Sequence, residues 1–65
     1  MGHSIYEIDW NKNLLITLEG KKFKINPYDM SVLAGWTPTT PIKEVTIDGI
    51  KYIENLSSGA KARLN

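Results

Sequence analysis

Cysteine is absent from the 65-residue chain, and histidine occurs once, at position 3. The lack of thiols excludes disulfide bonds and thiolate metal sites, so the fold does not need an oxidising compartment. An excess of either charge is also lacking, since eight Lys and Arg residues against seven Asp and Glu residues give a net charge of +1. Dedicated nucleic-acid binders usually carry a strong basic excess. We therefore expect a cytoplasmic protein that uses no metal and no cofactor.

Long apolar runs are missing as well. No apolar run approaches the roughly 18 residues of a membrane span, and no basic start precedes an apolar segment as it would in a secretory signal. A length of 65 residues leaves room for one small domain. Residues 1–4 resemble a cloning remnant, so we expect a single β domain over residues 5–65. These dimensions are typical of small accessory proteins of bacteria or phages.

The residues that perform catalysis are few and scattered. His3 lies in the expected remnant, and none of the serines occupies the strand-to-helix elbow of a nucleophile. Glu7 and Asp9 share one face of a predicted strand, but so small a domain has little interior in which to raise a carboxylate pKa. Gly20-Lys21-Lys22 carries one glycine and precedes a strand, unlike a phosphate-binding loop. We expect no enzymatic activity.

Two turns in the first half predict three antiparallel strands. Asn11-Lys12-Asn13 has the composition of a three-residue turn, and Gly20-Lys21 fits a two-residue type II′ turn. Both turns place one set of apolar side chains on the same face, which we expect to form the core while the opposite face stays wet. The predicted inward residues are Tyr6, Ile8, Trp10, Leu14, Ile16, Leu18, Phe23 and Ile25.

The second half contains a stronger hairpin signal. Asp48-Gly49 lies between two β-forming segments, and a type I′ turn requires positive φ at both of its central residues. The resulting register places Ile47 opposite Ile50 and Val45 opposite Tyr52.

A short helical turn is predicted between the two halves. Asp29 is the expected N-cap of a turn from Met30 to Ala34, and Gly35 is its expected end. A helix of this length depends on packing, because isolated short helices are unstable. The breaker-rich segment Gly35–Pro41 then connects to the second hairpin.

Five or six short strands with one longer connection predict an all-β fold. Exposed strand edges favour partial closure of such a sheet. We expect a small SH3-like barrel or a curled antiparallel sheet, with a five-stranded OB-like barrel as the alternative. The segment Ala60–Leu64 either forms a short closing edge strand or frays as a tail.

Binding to a protein partner or self-association is the predicted function. Trp36 lies in a loop between Gly35 and Pro38, where an aromatic side chain can be a hot spot of a partner surface or can fold back and plug one end of the barrel. A limited core and unpaired strand edges favour association. The predicted partner-binding residues are Trp36, Tyr28, Met30, Pro38 and Pro41, with Ile42 and Ile53 as an apolar edge.

Weak single-stranded nucleic-acid binding is the alternative function. Small β-barrels bind single strands through stacked aromatic side chains and a groove of basic ones. A basic stripe would form if the last segment paired beside the third strand, although Glu7, Asp9 and Glu19 favour a solvated face of mixed charge. The stripe would consist of Lys21, Lys22, Lys24, Lys61 and Arg63.

Overall fold

The computed structural model describes residues 3–65, which form a six-stranded antiparallel sheet and one short 3₁₀ helix. The all-β prediction with one short helical turn is confirmed. The expected cloning remnant falls partly on Met1 and Gly2, which lie outside the described residues, whereas His3 and Ser4 begin the first strand. The strands are β1 His3–Asp9, β2 Leu14–Thr17, β3 Lys22–Lys24, β4 Pro41–Ile47, β5 Ile50–Asn55 and β6 Lys61–Arg63, and the helix is Pro27–Leu33.

The strand order is β3-β2-β1-β4-β5-β6. The first three strands follow one another as antiparallel neighbours, and the chain then returns through the helix so that β4 pairs with β1. This connection is a Greek key, which is also the basis of five-stranded OB-like barrels. The pairing of β1 with β4 is short, with His3 opposite Ile42 and Ser4 opposite Pro41. Two hairpins, β1–β2 and β4–β5, are thus joined through a narrow region of sheet.

The two outer edges of the sheet meet at one place, which we call the seam. Ile25, just after β3, forms an antiparallel bridge with Leu64, just after β6. Backbone N–H groups donate to carbonyls across the seam on both sides of this bridge, from Asn26 to Arg63 (2.9 Å) and from Asn65 to Lys24 (2.8 Å). The C-terminal segment therefore forms a strand rather than a frayed tail.

The hydrophobic core draws residues from the six strands, the helix and the seam. Each fully buried large aliphatic side chain contributes about 1.5–3 kcal/mol relative to exposure. Two buried polar side chains are hydrogen-bonded to adjacent loops: Thr17 accepts the Lys21 N–H (3.0 Å), and Asn55 accepts the Ser57 N–H (2.8 Å). The buried apolar residues are Ile5, Leu15, Phe23, Ile25, Met30, Leu33, Ile42, Ile53 and Ala62.

The register predicted for the second hairpin is confirmed. Asp48 and Gly49 have φ angles of 52° and 79°, the positive values that a type I′ turn requires. Val45 pairs with Tyr52, and Ile47 pairs with Ile50 next to the turn.

The register predicted for β1 and β2 is wrong. Asp9 pairs with Leu14, so the loop spans Trp10–Asn13 instead of three residues. The cause is the Asp9 carboxylate, whose Oδ1 accepts the N–H groups of Asn11 and Lys12 (both 3.0 Å) and begins the turn one residue earlier. A one-residue shift moves side chains to the opposite face of a strand.

The two-residue turn predicted at Gly20-Lys21 is also wrong. The Thr17 N–H donates to the Lys21 carbonyl (2.9 Å), which leaves the three residues Leu18–Gly20 in the loop. Gly20, with φ 89°, occupies the last loop position, where a three-residue hairpin needs a left-handed residue. Leu15 consequently pairs with Phe23.

These two changes invert the predicted faces of β2, whereas β1 keeps Ile8 on the core side. Phe23 and Ile25 are buried as expected, and Ile8 packs against the core from its rim. Ile5 and Leu15 alternate with the predicted inward residues and so fall on the face predicted to be wet, but both are fully buried. The remaining members of the predicted inward set are exposed or half-buried and lie outside the core: Tyr6, Trp10, Leu14, Ile16 and Leu18.

The helical turn exists, but its predicted cap is wrong. Asn26 is the N-cap, and its Oδ1 accepts the Tyr28 N–H (2.9 Å). Asp29 instead accepts hydrogen bonds from Arg63 on β6. Gly35, with φ 87°, follows the C-cap residue Ala34, as its conformational freedom predicts.

Residues 3–65 contain no helix that is long and apolar enough to cross a bilayer. Within the same range, no three His, Asp or Glu side chains converge as ligands of a metal ion would.

Candidate interaction face

The solvent-facing side of β1, β2 and β3 carries several large apolar side chains. Successive side chains point to opposite faces of a strand, and Leu15 and Thr17 are buried, so their neighbours on β2 point outward. Tyr6 and Leu18 are 55% and 60% exposed. We call this surface the outer face, and its members are Tyr6, Glu7, Asp9, Leu14, Ile16, Leu18, Lys22 and Lys24.

A β-bulge positions Tyr6 on this face. The pairing of Ile5 with Thr17 is followed directly by the pairing of Glu7 with Ile16, so Tyr6 is the extra residue of β1. At a bulge, two residues of one strand stand opposite one residue of the other. Tyr6 and Glu7 therefore both lie beside Ile16, which places an aromatic ring and a carboxylate next to the centre of the face.

A row of residues on the same side of the sheet leads from Leu18 through Ser4 to Pro41 and Leu56, toward β4 and β5. The Leu18 N–H donates to the Ser4 carbonyl (3.0 Å), and Ser4 pairs with Pro41. The Leu56 N–H then donates to the Pro41 carbonyl (3.0 Å), and Leu56 is among the exposed large hydrophobic residues. Pro41, one of the predicted partner-binding residues, thus lies at the margin of the outer face.

Charges of opposite sign flank the apolar centre. Glu7 and Asp9 belong to β1, and Lys22 and Lys24 belong to β3 on the other side of β2. The register aligns them in two rows, because Ile16 pairs with both Glu7 and Lys22, and Leu14 pairs with both Asp9 and Lys24. The outer face therefore has an acidic side, an apolar middle and a basic side.

The middle strand is apolar on both of its faces. Leu14, Ile16 and the adjoining Leu18 point outward, while Leu15 is buried in the core. A strand with one solvated face alternates apolar and polar residues, whereas a near-continuous apolar run is typical of a strand covered on both faces. The run Leu14-Leu15-Ile16-Thr17-Leu18 was the sequence signal for this surface, and our single-face interpretation missed it.

Three predicted partner-binding residues are not at the surface. Ile42 and Ile53 are fully buried on neighbouring strands, and Met30 is 8% exposed on the buried side of the helix. The prediction that Ile42 and Ile53 form an apolar edge is wrong, because their side of β4 and β5 faces the core once these strands pair with β1 and β6. Asn55, which pairs with Ile42, is buried with them.

The other predicted partner-binding residues lie apart from the outer face or at its margin. Trp36 is half-buried and packs against the core cluster, the position expected of a plug. Pro38 is exposed in the following loop, and Tyr28 on the helix is 86% exposed. A partner contact through Tyr28 or through the exposed edge of Trp36 stays a prediction.

Two residues of the predicted basic stripe, Lys61 and Arg63, form ion pairs with acidic side chains. Lys61 Nζ lies 3.7 Å from Glu54 Oε2, and Arg63 Nε lies 3.2 Å from Asp29 Oδ2. Lys21 Nζ lies 5.1 Å from the centre of the Phe23 ring, within range of a cation–π contact. Lys22 and Lys24 remain as exposed basic residues of the outer face.

Asp29 joins the helix to β6. Its Oδ2 accepts the backbone N–H of Arg63 (2.8 Å) as well as the guanidinium Nε–H. The side-chain hydrogen bond from Arg63 is the largest cause that lowers the pKa of the Asp29 carboxyl below its ordinary value of 3.8, and the backbone hydrogen bond acts in the same direction.

Comparisons with protein-family models, curated proteins and solved structures found no significant match. The residues of the outer face are therefore the basis for inferring a function.

Proposed function

We propose that this chain is a non-enzymatic binding module that acts through the outer face, on a protein partner or on another copy of itself. The observation that carries the proposal is the apolar character of β2 on both sides. Ile16 and Leu18 occupy positions where a solvated sheet would carry polar residues. A cytoplasmic setting is part of the proposal, because a chain without cysteine uses no oxidising compartment.

Covering this face would be favourable on hydrophobic grounds. Removing apolar surface from water contributes about 25 cal/mol per Å². Tyr6 beside Ile16 supplies an aromatic ring with a polar tip, the kind of residue enriched at binding hot spots. The flanking charges would form the polar rim that specific interfaces have.

Substitution of Ile16 tests the proposal. We would compare the wild type with Ile16→Lys by sedimentation and by affinity capture from the native host followed by quantitative mass spectrometry. We expect the wild type to self-associate or to capture a defined protein, and Ile16→Lys to lose that activity. Thr46→Lys, at an exposed position of β4, is the matched control and should behave like the wild type. A wild type that stays monomeric and captures nothing beyond Ile16→Lys would contradict the proposal.

Weak binding of single-stranded nucleic acid is the second candidate. It is supported by the exposed ring of Tyr6 on the same face as Lys22 and Lys24. Glu7 and Asp9 oppose it, because they place negative charge beside the same surface. Titration of labelled single-stranded DNA and RNA at about 50 mM salt tests it, since phosphate contacts are strongest at low salt. Binding that is lost in Lys22→Gln/Lys24→Gln would establish this function, and no binding at low salt would exclude it.

A further inference from the structure

We propose that the occupant of the outer face is a second copy of this chain, packed face to face about a two-fold axis parallel to β2. This inference rests on the proposed function and specifies its partner. Three features of the outer face carry it: the central apolar strand, the acidic strand on one side and the basic strand on the other.

The charge pattern is complementary to itself under this symmetry. A two-fold axis parallel to β2 exchanges left and right, so β1 of one copy faces β3 of the other. Heights along the strands are preserved, because the axis runs along them. Glu7 and Lys22 share the Ile16 row, and Asp9 and Lys24 share the Leu14 row. Each carboxylate therefore faces an ammonium group of the partner in the same row.

The other face-to-face symmetry is disfavoured by the same charges. An axis perpendicular to the strands would place β3 over β3 and β1 over β1. Lys22 and Lys24 would then face the basic strand of the second copy, and Glu7 would face its acidic strand. Like charges brought together in an interface oppose binding, so the charge pattern selects one axis.

The apolar residues occupy the centre of the proposed interface. Because β2 lies next to the axis, Leu14, Ile16 and Leu18 of one copy would each meet the same residue of the other, as in an isologous two-fold interface. Packed sheets lie about 10 Å apart and cross at about −30°, so the match is closest near Ile16 and loosens toward the ends of the strands. Three short strands give a small contact area, and we expect a weak dimer in the micromolar range or above.

Charge reversal with rescue is the decisive experiment. In Lys22→Glu, residues 7 and 22 are both acidic, and in Glu7→Lys both are basic. Each variant alone would bring two pairs of like charges together in its homodimer, so we expect self-association to weaken by about tenfold or more. An equimolar mixture would restore both attractive pairs in a heterodimer. Sedimentation equilibrium from about 10 μM to about 1 mM would cover the expected affinity.

A matched pair of variants controls for net charge. Lys51→Glu and Glu44→Lys make the same changes in charge at exposed positions of β5 and β4, outside the outer face. These variants should dimerise like the wild type, both alone and when mixed. Equal weakening in the control variants, or a mixture of Lys22→Glu and Glu7→Lys that does not restore dimers, would overturn the proposed axis.

A cross-linking measurement does not depend on charge reversal. The chain has no cysteine, so Ile16→Cys would introduce one thiol per copy close to the proposed axis. A bismaleimide of about 10 Å span, matched to the spacing of packed sheets, should link Ile16→Cys into dimers and leave Lys51→Cys monomeric. Equal cross-linking of the two variants, or none, would overturn the proposal. A wild type that is monomeric at all concentrations but captures a protein through Ile16 would overturn the dimer and leave the proposed function standing.

Discussion

The two hairpins differ in how firmly their turns specify register. In the second hairpin, Asp48 and Gly49 both adopt positive φ, and the type I′ turn permits one register. In the first hairpin, the segment Asn11-Lys12-Asn13 is compatible with loops of several lengths. The Asp9 carboxylate selects the length by accepting two loop N–H groups. A turn in which both central residues need positive φ can thus be predicted from sequence more directly than a turn whose length is selected by a side-chain hydrogen bond.

The two faces of β2 should respond most differently to substitution. Leu15→Ala removes a fully buried side chain and should lower the free energy of unfolding by about 2–5 kcal/mol. Leu14→Ala, the matched change on the outer face, should cost less than about 1 kcal/mol. Urea denaturation at low protein concentration measures both, and equal losses would show that the faces are assigned wrongly.

The type I′ turn of the second hairpin should be sensitive to the side chain at position 49. Gly49→Ala places a Cβ on a residue with φ 79° and should cost about 1–2 kcal/mol of unfolding free energy. Open space surrounds this position, so the loss would come from backbone conformation rather than from a clash. Gly49→Asn is the control, because Asn adopts positive φ more readily. An Asn variant as unstable as the Ala variant would disagree with this explanation.

The first hairpin should depend on the Asp9 side chain. Asp9→Ala removes the acceptor of the Asn11 and Lys12 N–H groups and should cost about 1 kcal/mol of unfolding free energy. Amide exchange at Asn11 and Lys12 should become faster, because their hydrogen bonds are lost. Asp9→Asn keeps an Oδ1 acceptor and should retain most of the stability. Unchanged exchange in Asp9→Ala would mean that the loop is held by other contacts.

The smallest effect is expected for the contact between the helix and β6, which Asp29 and Arg63 form. Since Arg63 lowers the pKa of folded Asp29 below its ordinary value of 3.8, the stabilisation by ionised Asp29 is fully present above that value. It is lost as the pH falls through the lowered pKa. Asp29→Asn should therefore be less stable than the wild type at about pH 7, and the difference should shrink as the pH falls below 3.8 and through the lowered pKa. A series of urea midpoints from neutral to acidic pH measures it.

Glu44→Gln, which changes an exposed carboxylate on β4, is the control for that measurement. It should leave the difference from the wild type nearly constant with pH. If the difference in stability between Asp29→Asn and the wild type also stayed constant with pH, the contact with Arg63 would not explain the effect of Asp29.

Strand content could be predicted from the sequence, but the side chains facing the core could not be predicted in the first hairpin. Alternation of apolar residues is ambiguous where both faces are apolar, as in Leu14–Leu18, and the choice of face then depends entirely on loop length. Gly20 was recognised as a turn residue, but its position within the loop was not. Ile42 and Ile53 were recognised as apolar, but their burial depends on contacts with β1 and β6, which are distant in sequence.

The outer face, on which the proposed function rests, was not among the predicted partner-binding residues, apart from Pro41 at its margin. Trp36 packs against the core, as the plug alternative expects, and a partner contact through its exposed edge stays a prediction. The predicted turns put Tyr6 and Leu18 inside. The wrong loop lengths exchanged the two faces of β2, and the bulge in β1, which the sequence pattern did not indicate, turned Tyr6 outward.

The two edges of the sheet meet only over a short length at the seam, and this affects how the sheet can open. The seam consists of the Ile25–Leu64 bridge and its two backbone hydrogen bonds, whereas β4 and β5 pair over six residues, so fewer interactions are lost when the seam opens than when that hairpin unfolds. We expect the seam to open before either hairpin unfolds, which would leave an open sheet with two free edges. Free edges are templates for pairing with other strands. Brief excursions of this kind would be the route by which heat or crowded solutions lead the protein toward aggregation.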